Sequence, residues 1–340
     1  MVLRSAYRGP FAKTGENVSA NLSVLFTSAG RRVELMRCFR ADAAGLGLPL
    51  RAMAADLRPE LSAACGAADD RFMVPRCLAP DYVPTLLDLC RTERVALLVP
   101  TIDTELSVLA EHVAEFAAIG TRVAVSSPAV VAVARDKLQT ATTFGAAGVT
   151  VPRTALLADM LADPSDWRFP VILKPLGGSS SIGLAVARTP EEARQIGAQR
   201  DDYLAQEQWL GREYTVNIFF DARGALRCAV PHWRIETRGG EVSKGRTERV
   251  PALEKAAKQI AAALPGARGA LCFQAIVNER GEAGVFELNA RFGGGYPLAH
   301  RAGARFSQWL LEEVAGLPCT ANDDWKEGVT MLRYDAAVFV

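Results

Sequence analysis

The sequence predicts an α/β chain, a small parallel sheet followed by an α+β region, and three observations carry that prediction. Short apolar runs alternate with stretches of helical spacing across residues 21–135, the pattern of parallel strands joined by helices on both sides of a sheet. From Phe169 onward the apolar runs come in pairs around short polar or glycine-rich turns, the pattern of hairpins. The last pair ends in residues 284–297, GVFELNARFGGGYP, where a carboxylate, an amide and a guanidinium fall at alternate positions.

Residues 22–26 are the first apolar run; Thr27, Ser28, Ala29 and Gly30 follow as a tight turn, and Val33, Leu35, Met36 and Phe39 then fall at helical spacing. A second run, 50–55, closes on Asp56, where the second strand of a nucleotide-binding unit ends in an acidic residue. The first turn has one glycine where a dinucleotide fingerprint wants three, which argues against NAD. Residues 95–99 read as a buried strand ending in Pro100, Thr101, Ile102 and Asp103, residues 106–116 as a helix and 123–126 as another strand. Ligands of such sheets sit at the carboxyl ends of the strands, here Ser28 to Arg31, Asp56 and Thr101 to Glu105. Ordinary loop polarity explains any one of these equally well.

Arg135, Asp136 and Lys137 lead into a helix at 138–145, and Phe169 to Pro175 then reads as a strand carrying Lys174. Residues 176–183, LGGSSSIG, and a short strand at 184–187 complete a hairpin with a glycine-rich loop. Backbone N–H groups and hydroxyls in such a loop suit phosphate oxygens, with Lys174 as a point charge beside them. The loop lacks the Gly-Lys-Ser/Thr ending of a Walker A motif, and no long helix follows it directly. Residues 203–210 and 214–220 read as two strands, with Glu207 and Glu213 straddling the turn between them. There they could address two ends of a nucleoside, or simply be solvated. A polar hairpin with His232, Arg234, Lys244 and Arg246 forms a basic patch, and residues 253–264 are an amphipathic helix with Leu253, Ala256, Ala257, Ile260 and Leu264 on one side. A hairpin of 271–278 with 283–290 brings Gln274 near Glu287.

If 285–290 is extended, Glu287, Asn289 and Arg291 face one way and Phe286, Leu288 and Ala290 the other. Glu287 and Asn289 offer oxygens to a hard cation such as Mg2+, and Arg291 offers a planar cation to a phosphoryl group. The glycines at 293–295 suit a backbone that turns closely around something. The plain alternative is a polar strand face ending in a flexible turn.

Composition narrows the class. With 340 residues, 49% of them hydrophobic and 23% charged, the chain suits two or three globular units and not a disordered polymer. A net charge of +1 gives no reason to invoke nucleic acid or a membrane surface, and no apolar run is long enough to span a bilayer. Seven scattered cysteines, without a CxxC pair, and three histidines indicate neither a disulfide framework nor a zinc centre, and fit a reducing cytoplasm. Residues 1–20 are basic and lack a secretory apolar segment, so they read as a flexible extension.

Taken in order, Lys137, Lys174 with the 177–183 loop, Glu207 to Leu210, Glu213, Gln274 and the Glu287 to Arg291 segment resemble the ATP-grasp superfamily. The similarity is to its carbamoyl-phosphate-synthase-like carboxylate–amine ligases, over residues 22–318. That resemblance implies a Rossmann-like pre-ATP-grasp domain at 21–135, then a two-lobed α+β ATP-grasp domain with a small lobe at 136–205 and a C-terminal lobe at 206–340. It implies ATP between the lobes, with Lys137 and Lys174 on its phosphates and the loop containing Gly178, Ser179, Ser180 and Ser181 closing over them. Glu207, with the backbone of Trp209 and Leu210, would read the adenine edge, and Glu213 the ribose hydroxyls. Glu287 and Asn289 would hold Mg2+, for which Mn2+ can substitute. Gln274 would assist them, although many relatives carry a carboxylate there. Arg291 would stabilise the transferred phosphoryl, and Lys244, from the basic patch, is the second catalytic candidate. The expected partners are a small-molecule carboxylate and an amine, with a homodimer allowed. A small-molecule kinase on the same fold and a nucleotide-binding module without turnover are the alternatives.

Overall fold

The computed structural model describes residues 22–177, 183–198, 200 and 202–340. Its first strand, β1 (Leu22–Thr27), buries every residue from Ser23 to Thr27, as a central parallel strand covered on both faces must. β1 pairs in parallel with β2 (Leu50–Asp56) and with β4 (Leu97–Pro100). β3 (Asp70–Met73) and β5 (Arg122–Val123) form the edges, giving the order β3-β2-β1-β4-β5.

The strand order reverses between β1 and β4, and the loops at that point are tied together by one carboxylate. Glu105 has no exposed surface, and accepts hydrogen bonds from Ser28 Oγ (3.0 Å), Tyr82 OH (2.6 Å) and the backbone N–H groups of Thr101 (2.8 Å) and Ile102 (3.2 Å). Burial pushes its pKa up, and the Tyr82, Thr101 and Ile102 donors oppose the shift. Asp56 accepts the Gly30 N–H at 2.8 Å, so the acidic end of β2 is occupied in holding the first turn, where Ser28 and Gly30 adopt φ of 49° and 47°.

The remaining strands form two antiparallel sheets. β6 (Thr154–Leu156), β7 (Val171–Pro175), β8 (Ala185–Ala187) and β9 (Tyr203–Glu207) are ordered β6-β9-β7-β8. The second sheet, ordered β14-β13-β10-β11-β12-β15, comprises β10 (Arg212–Phe220), β11 (Leu226–Arg238), β12 (Glu241–Thr247), β13 (Gly269–Val277), β14 (Ala283–Asn289) and β15 (Thr330–Leu332). The amphipathic helix Pro251–Ala263 buries Leu253, Ala256, Ala257 and Ile260 and packs on β10, β11 and β14. One face of the six-stranded sheet is thereby closed with apolar side chains, and its polar side chains project from the other.

Contacts divide the chain into two compact units. Among the described residues, the first comprises 22–125 together with 305–322 and 336–340, and the second comprises those between 126 and 304 with 323–335. The sequence grouped 206–340 as one lobe; the structure returns the helix Phe306–Val314 to the first unit. The reason is a buried carboxylate: Asp42, fully buried on the helix Val33–Gly45, accepts from Arg305 and from Ser307 Oγ at the start of Phe306–Val314. Glu105→Ala should lower the stability of the first unit by about 2–4 kcal/mol, since it strands several buried donors. Hydrogen exchange checks this, with lost protection in β1 and β4 expected and unchanged protection counting against it.

Candidate active site

The site is assembled by register. β13 and β14 pair Gln274 with Glu287, and then Ala275 with Val285, which leaves Phe286 as an extra residue in β14. Strict alternation would send Phe286 away from Glu287; the bulge brings both to the wall of one cavity. That cavity has a volume of about 470 Å3 and is lined by Lys137, Lys174, Glu207, Trp209, Glu213, Gln274 and Glu287, together with apolar Ile172, Leu184, Ile276 and Phe286. Acidic, basic and apolar side chains therefore share one cavity. Trp209 reaches it because Gly284 has no side chain: a Cβ there would lie 2.7 Å from the indole.

Lys174, on β7, is 7% exposed. Its Nζ donates to Gln206 Oε1 at 3.0 Å and to the Phe286 carbonyl at 3.4 Å, and lies 5.5 Å from the centre of the Phe286 ring. Burial lowers its pKa to about 8; Glu287 pulls it back up and Lys137 adds to the lowering. Gln206, which the sequence did not single out, is held in turn by Thr154, whose Oγ1 accepts from Gln206 Nε2 at 2.7 Å. Lys137 begins the helix Lys137–Ala146, which Asp136 caps by accepting from the N–H groups of Leu138 and Gln139 at 2.8 and 2.9 Å. Its Nζ donates to the carbonyls of Pro175 (3.2 Å) and Leu176 (3.4 Å), fixing the strand end that leads into the glycine-rich loop. Gly178, Ser179, Ser180 and Ser181 lie outside the described residues.

Glu287, Asn289 and Arg291 are chained by hydrogen bonds. Asn289 Nδ2 donates to Glu287 Oε1 at 3.2 Å, and Arg291 Nη2 donates to Asn289 Oδ1 at 3.1 Å. The donor set for a cation is thus one carboxylate with the amides of Asn289 and Gln274, and among the described residues no cluster of three or more His, Cys, Asp or Glu could hold a metal by itself. Mg2+ is commonly bound through one or two carboxylates plus substrate phosphates, so these residues fit a cation that arrives with phosphate. Asn289 would have to share its oxygen with Arg291.

The glycines at 293–295 turn closely over the sheet itself. A Cβ on Gly293 would lie 2.9 Å from Cys272 Sγ, on Gly294 2.7 Å from the Glu241 carboxyl carbon, and on Gly295 2.6 Å from His232 Nε2. His232 beneath this turn is fully buried; burial, reinforced by Arg234 and Arg333, pushes its pKa down to about 3, so it is neutral.

Four of the described candidates do not line the cavity: Asn289 and Arg291, which connect to it through Glu287, and Leu210 and Lys244. Lys244 is half exposed on β12 and pairs with Glu236 at 2.7 Å. Irregular register on both sides of Glu236 takes that part of the hairpin out of simple alternation. Leu210 is 77% exposed. Arg234, from the same basic patch, is the one that lines the cavity.

Residues 24–124 match the model of the PylC-like N-terminal domain, and residues 134–295 match the ATP-grasp domain. The chain carries a PylC-like N-terminal domain followed by an ATP-grasp domain. Among curated relatives, the D-alanine–D-alanine ligase of Pseudomonas putida (strain GB-1) is 37% identical over 94 residues, which is 26% of this ATP-grasp chain and 30% of the relative. The match therefore spans under a third of that ligase. Two solved structures share the fold over most of the chain. The biotin carboxylase domain dimer of Hydrogenobacter thermophilus 2-oxoglutarate carboxylase, in complex with MgADP, ADP and bicarbonate, has a TM-score of 0.70 at 17% identity, covering 90% of this chain and 73% of that one. The L-amino acid ligase of Bacillus licheniformis has a TM-score of 0.65 at 16% identity, covering 86% and 74%.

The Lys174 shift gives a pH dependence with a definite sign. With a folded value of about 8, below the ordinary 10.5, Lys174 is charged below that pH and loses its proton as pH rises through it. If Lys174 meets phosphate, as the resemblance implies, recognition then weakens. MgADP affinity, measured by calorimetry, should fall above about pH 8 with a slope approaching tenfold per unit, and Lys174→Met should flatten that limb. A wild-type profile level from about pH 7 to about pH 9 would contradict the assignment.

Proposed function

We propose that this protein is an ATP- and Mg2+-dependent ligase that activates a small-molecule carboxylate as an acyl phosphate and couples it to an amine, releasing ADP and phosphate. The observation that carries the reading is the convergence of Lys137, Lys174, Glu207, Glu213 and Glu287 on one cavity with apolar Ile172, Leu184, Ile276 and Phe286 beside them, and the hydrogen-bond chain that runs from Glu287 through Asn289 to Arg291. The apolar lining suits adenine, with Glu207 and Trp209 at its edge and Glu213 at the ribose. Lys174 and Lys137 suit the phosphates.

A carboxylate resists attack by an amine because oxide is a poor leaving group, and exchange of that oxygen for phosphate removes the difficulty. The protein's task is then to position reactants and neutralise charge, with no covalent intermediate on the chain. Bound Mg2+ would supply Lewis-acid neutralisation of the phosphate oxygens. Glu287 holds the anionic side of that arrangement, and Asn289 keeps Arg291 oriented beside it. The buried Lys174 is dehydrated before the ligand arrives, which strengthens its charge–charge interaction with phosphate. The cytoplasm is the proposed compartment, in keeping with seven cysteines that are all free thiols. Among the described residues no helix is long and apolar enough to cross a membrane.

ADP release screened over paired acids and amines, amino acids first, tests the proposal. Free phosphate, with a hydroxamate formed in the presence of hydroxylamine, is expected; a stable phosphorylated product would instead identify a small-molecule kinase. With the active pair, Glu287→Gln should abolish Mg2+-dependent turnover in a folded protein, and turnover near the wild-type rate would contradict the metal role. Arg291→Lys should lower kcat by about 30-fold to 1,000-fold, the scale of one well-placed stabilising donor, with little change in ATP affinity. Lost affinity with kcat untouched would make Arg291 a ground-state anchor.

A further inference from the structure

Glu213 and Arg234 meet on the polar face of the six-stranded sheet, and both line the cavity. Glu213 lies near the start of β10, and its side chain is 39% exposed. A long carboxylate at such a place has several rotamers open to it, and ordering it when a ligand arrives costs free energy. Arg234 is in the opposite condition: its side chain is 8% exposed and fixed at three points. Nη1 donates to Thr215 Oγ1 at 3.1 Å, and Nη2 donates to the Gly240 carbonyl at 2.9 Å. Nε lies 3.0 Å from Glu213 Oε1, an ion-pair distance outside hydrogen-bond alignment.

The Gly240 contact matters because Gly239 and Gly240 both adopt left-handed φ, 59° and 78°, in the turn between β11 and β12. Gly240 and Thr237 also line the cavity. The guanidinium thus joins the hairpin wall of the cavity to the carboxylate opposite it. Among the described residues Glu213 has no other polar partner, so a single interaction sets its direction. A lysine could supply the charge at this position but could not hold three groups in one plane.

We propose that Arg234 is a positioning residue that pre-orients Glu213 for the ribose hydroxyls, making the Arg234–Glu213 pair the determinant of ribose against deoxyribose. The proposal rests on the nucleotide pose given above. Arg234 need not touch the reacting atoms. Its contribution is that Glu213 meets the vicinal diol already aimed, so that loss of one hydroxyl leaves a fixed carboxylate without its partner.

The test compares the dissociation constants of MgADP and Mg-2′-deoxy-ADP by calorimetry on the full chain. Their ratio divides out any loss of active protein, which a merely structural role would affect. Wild type should bind the ribonucleotide about 10-fold to 100-fold more tightly, the scale of a hydrogen bond to a charged group. Glu213→Gln should bring the ratio close to one, and Arg234→Lys should do so despite keeping the charge. Thr215→Val, which removes one of the contacts that hold Arg234 while keeping the side chain's volume, should give an intermediate ratio and decides the matter if Arg234→Lys does not fold. A wild-type ratio in Arg234→Lys, or in Thr215→Val where that variant decides, together with collapse in Glu213→Gln, overturns the role of Arg234 and leaves the nucleotide pose standing. A wild-type ratio in Glu213→Gln overturns both.

Discussion

The pairing of Gln274 with Glu287, and the extra residue that follows it in β14, is the constraint on which the site depends. A side chain is placed in a sheet by register, and a one-residue bulge changes which neighbours share a face. Here it allows the Phe286 ring and the Glu287 carboxylate to line the same cavity and presents the Phe286 carbonyl to Lys174. The Glu287 charge partly offsets the dehydration of the Lys174 ammonium, whose Nζ that carbonyl and the Gln206 amide hold in place. Without Glu287 a lysine 7% exposed would sit further below its ordinary pKa and offer less charge to a phosphate.

The rest of the second unit holds this arrangement in place. The amphipathic helix closes one face of the six-stranded sheet, so polar side chains on the other face can be dense without opening the core. The 293–295 turn presses directly onto Cys272, Glu241 and His232, and the Arg333 guanidinium, paired with Glu241 at 2.9 Å, donates to the Gly294 carbonyl. A neutral, buried His232 suits that contact, because a charged imidazole enclosed between Arg234 and Arg333 would be repelled by both. Three glycines in a row are therefore required by close approach of backbone to sheet, and at none of them by left-handed geometry.

Much of this was legible because it follows from local period. Alternating strand and helix patterns gave the parallel sheet, and the alternation of Glu287, Asn289 and Arg291 gave a chain of hydrogen-bonded polar groups. Gln274 was placed beside Glu287 by counting back from the turn. What was not legible depends on register or on distant contacts. Phe286 reaches the cavity through a bulge that periodicity does not signal, and Arg234 was indistinguishable from Lys244 until the irregular β11–β12 register put one in the cavity wall and the other against Glu236. Gln206 is recognised only once β7 and β9 are paired. The helix at 306–314 joins the first unit through Asp42, more than 260 residues earlier in the chain, and no local pattern announces such a contact.

The central claim is that the cavity brings a nucleotide's phosphate to a carboxylate, and that an oxygen of that carboxylate leaves with phosphate. Isotope transfer tests it most directly. The acid of the pair that drives ADP release is labelled with 18O in its carboxylate, and the released phosphate is examined by mass spectrometry or by its 31P isotope shift. One 18O atom per phosphate is expected, since the acyl phosphate passes that oxygen to the leaving group when the amine attacks. Phosphate released without label, its fourth oxygen drawn from water, would show that ATP is hydrolysed and not used to activate the acid, and would contradict the account.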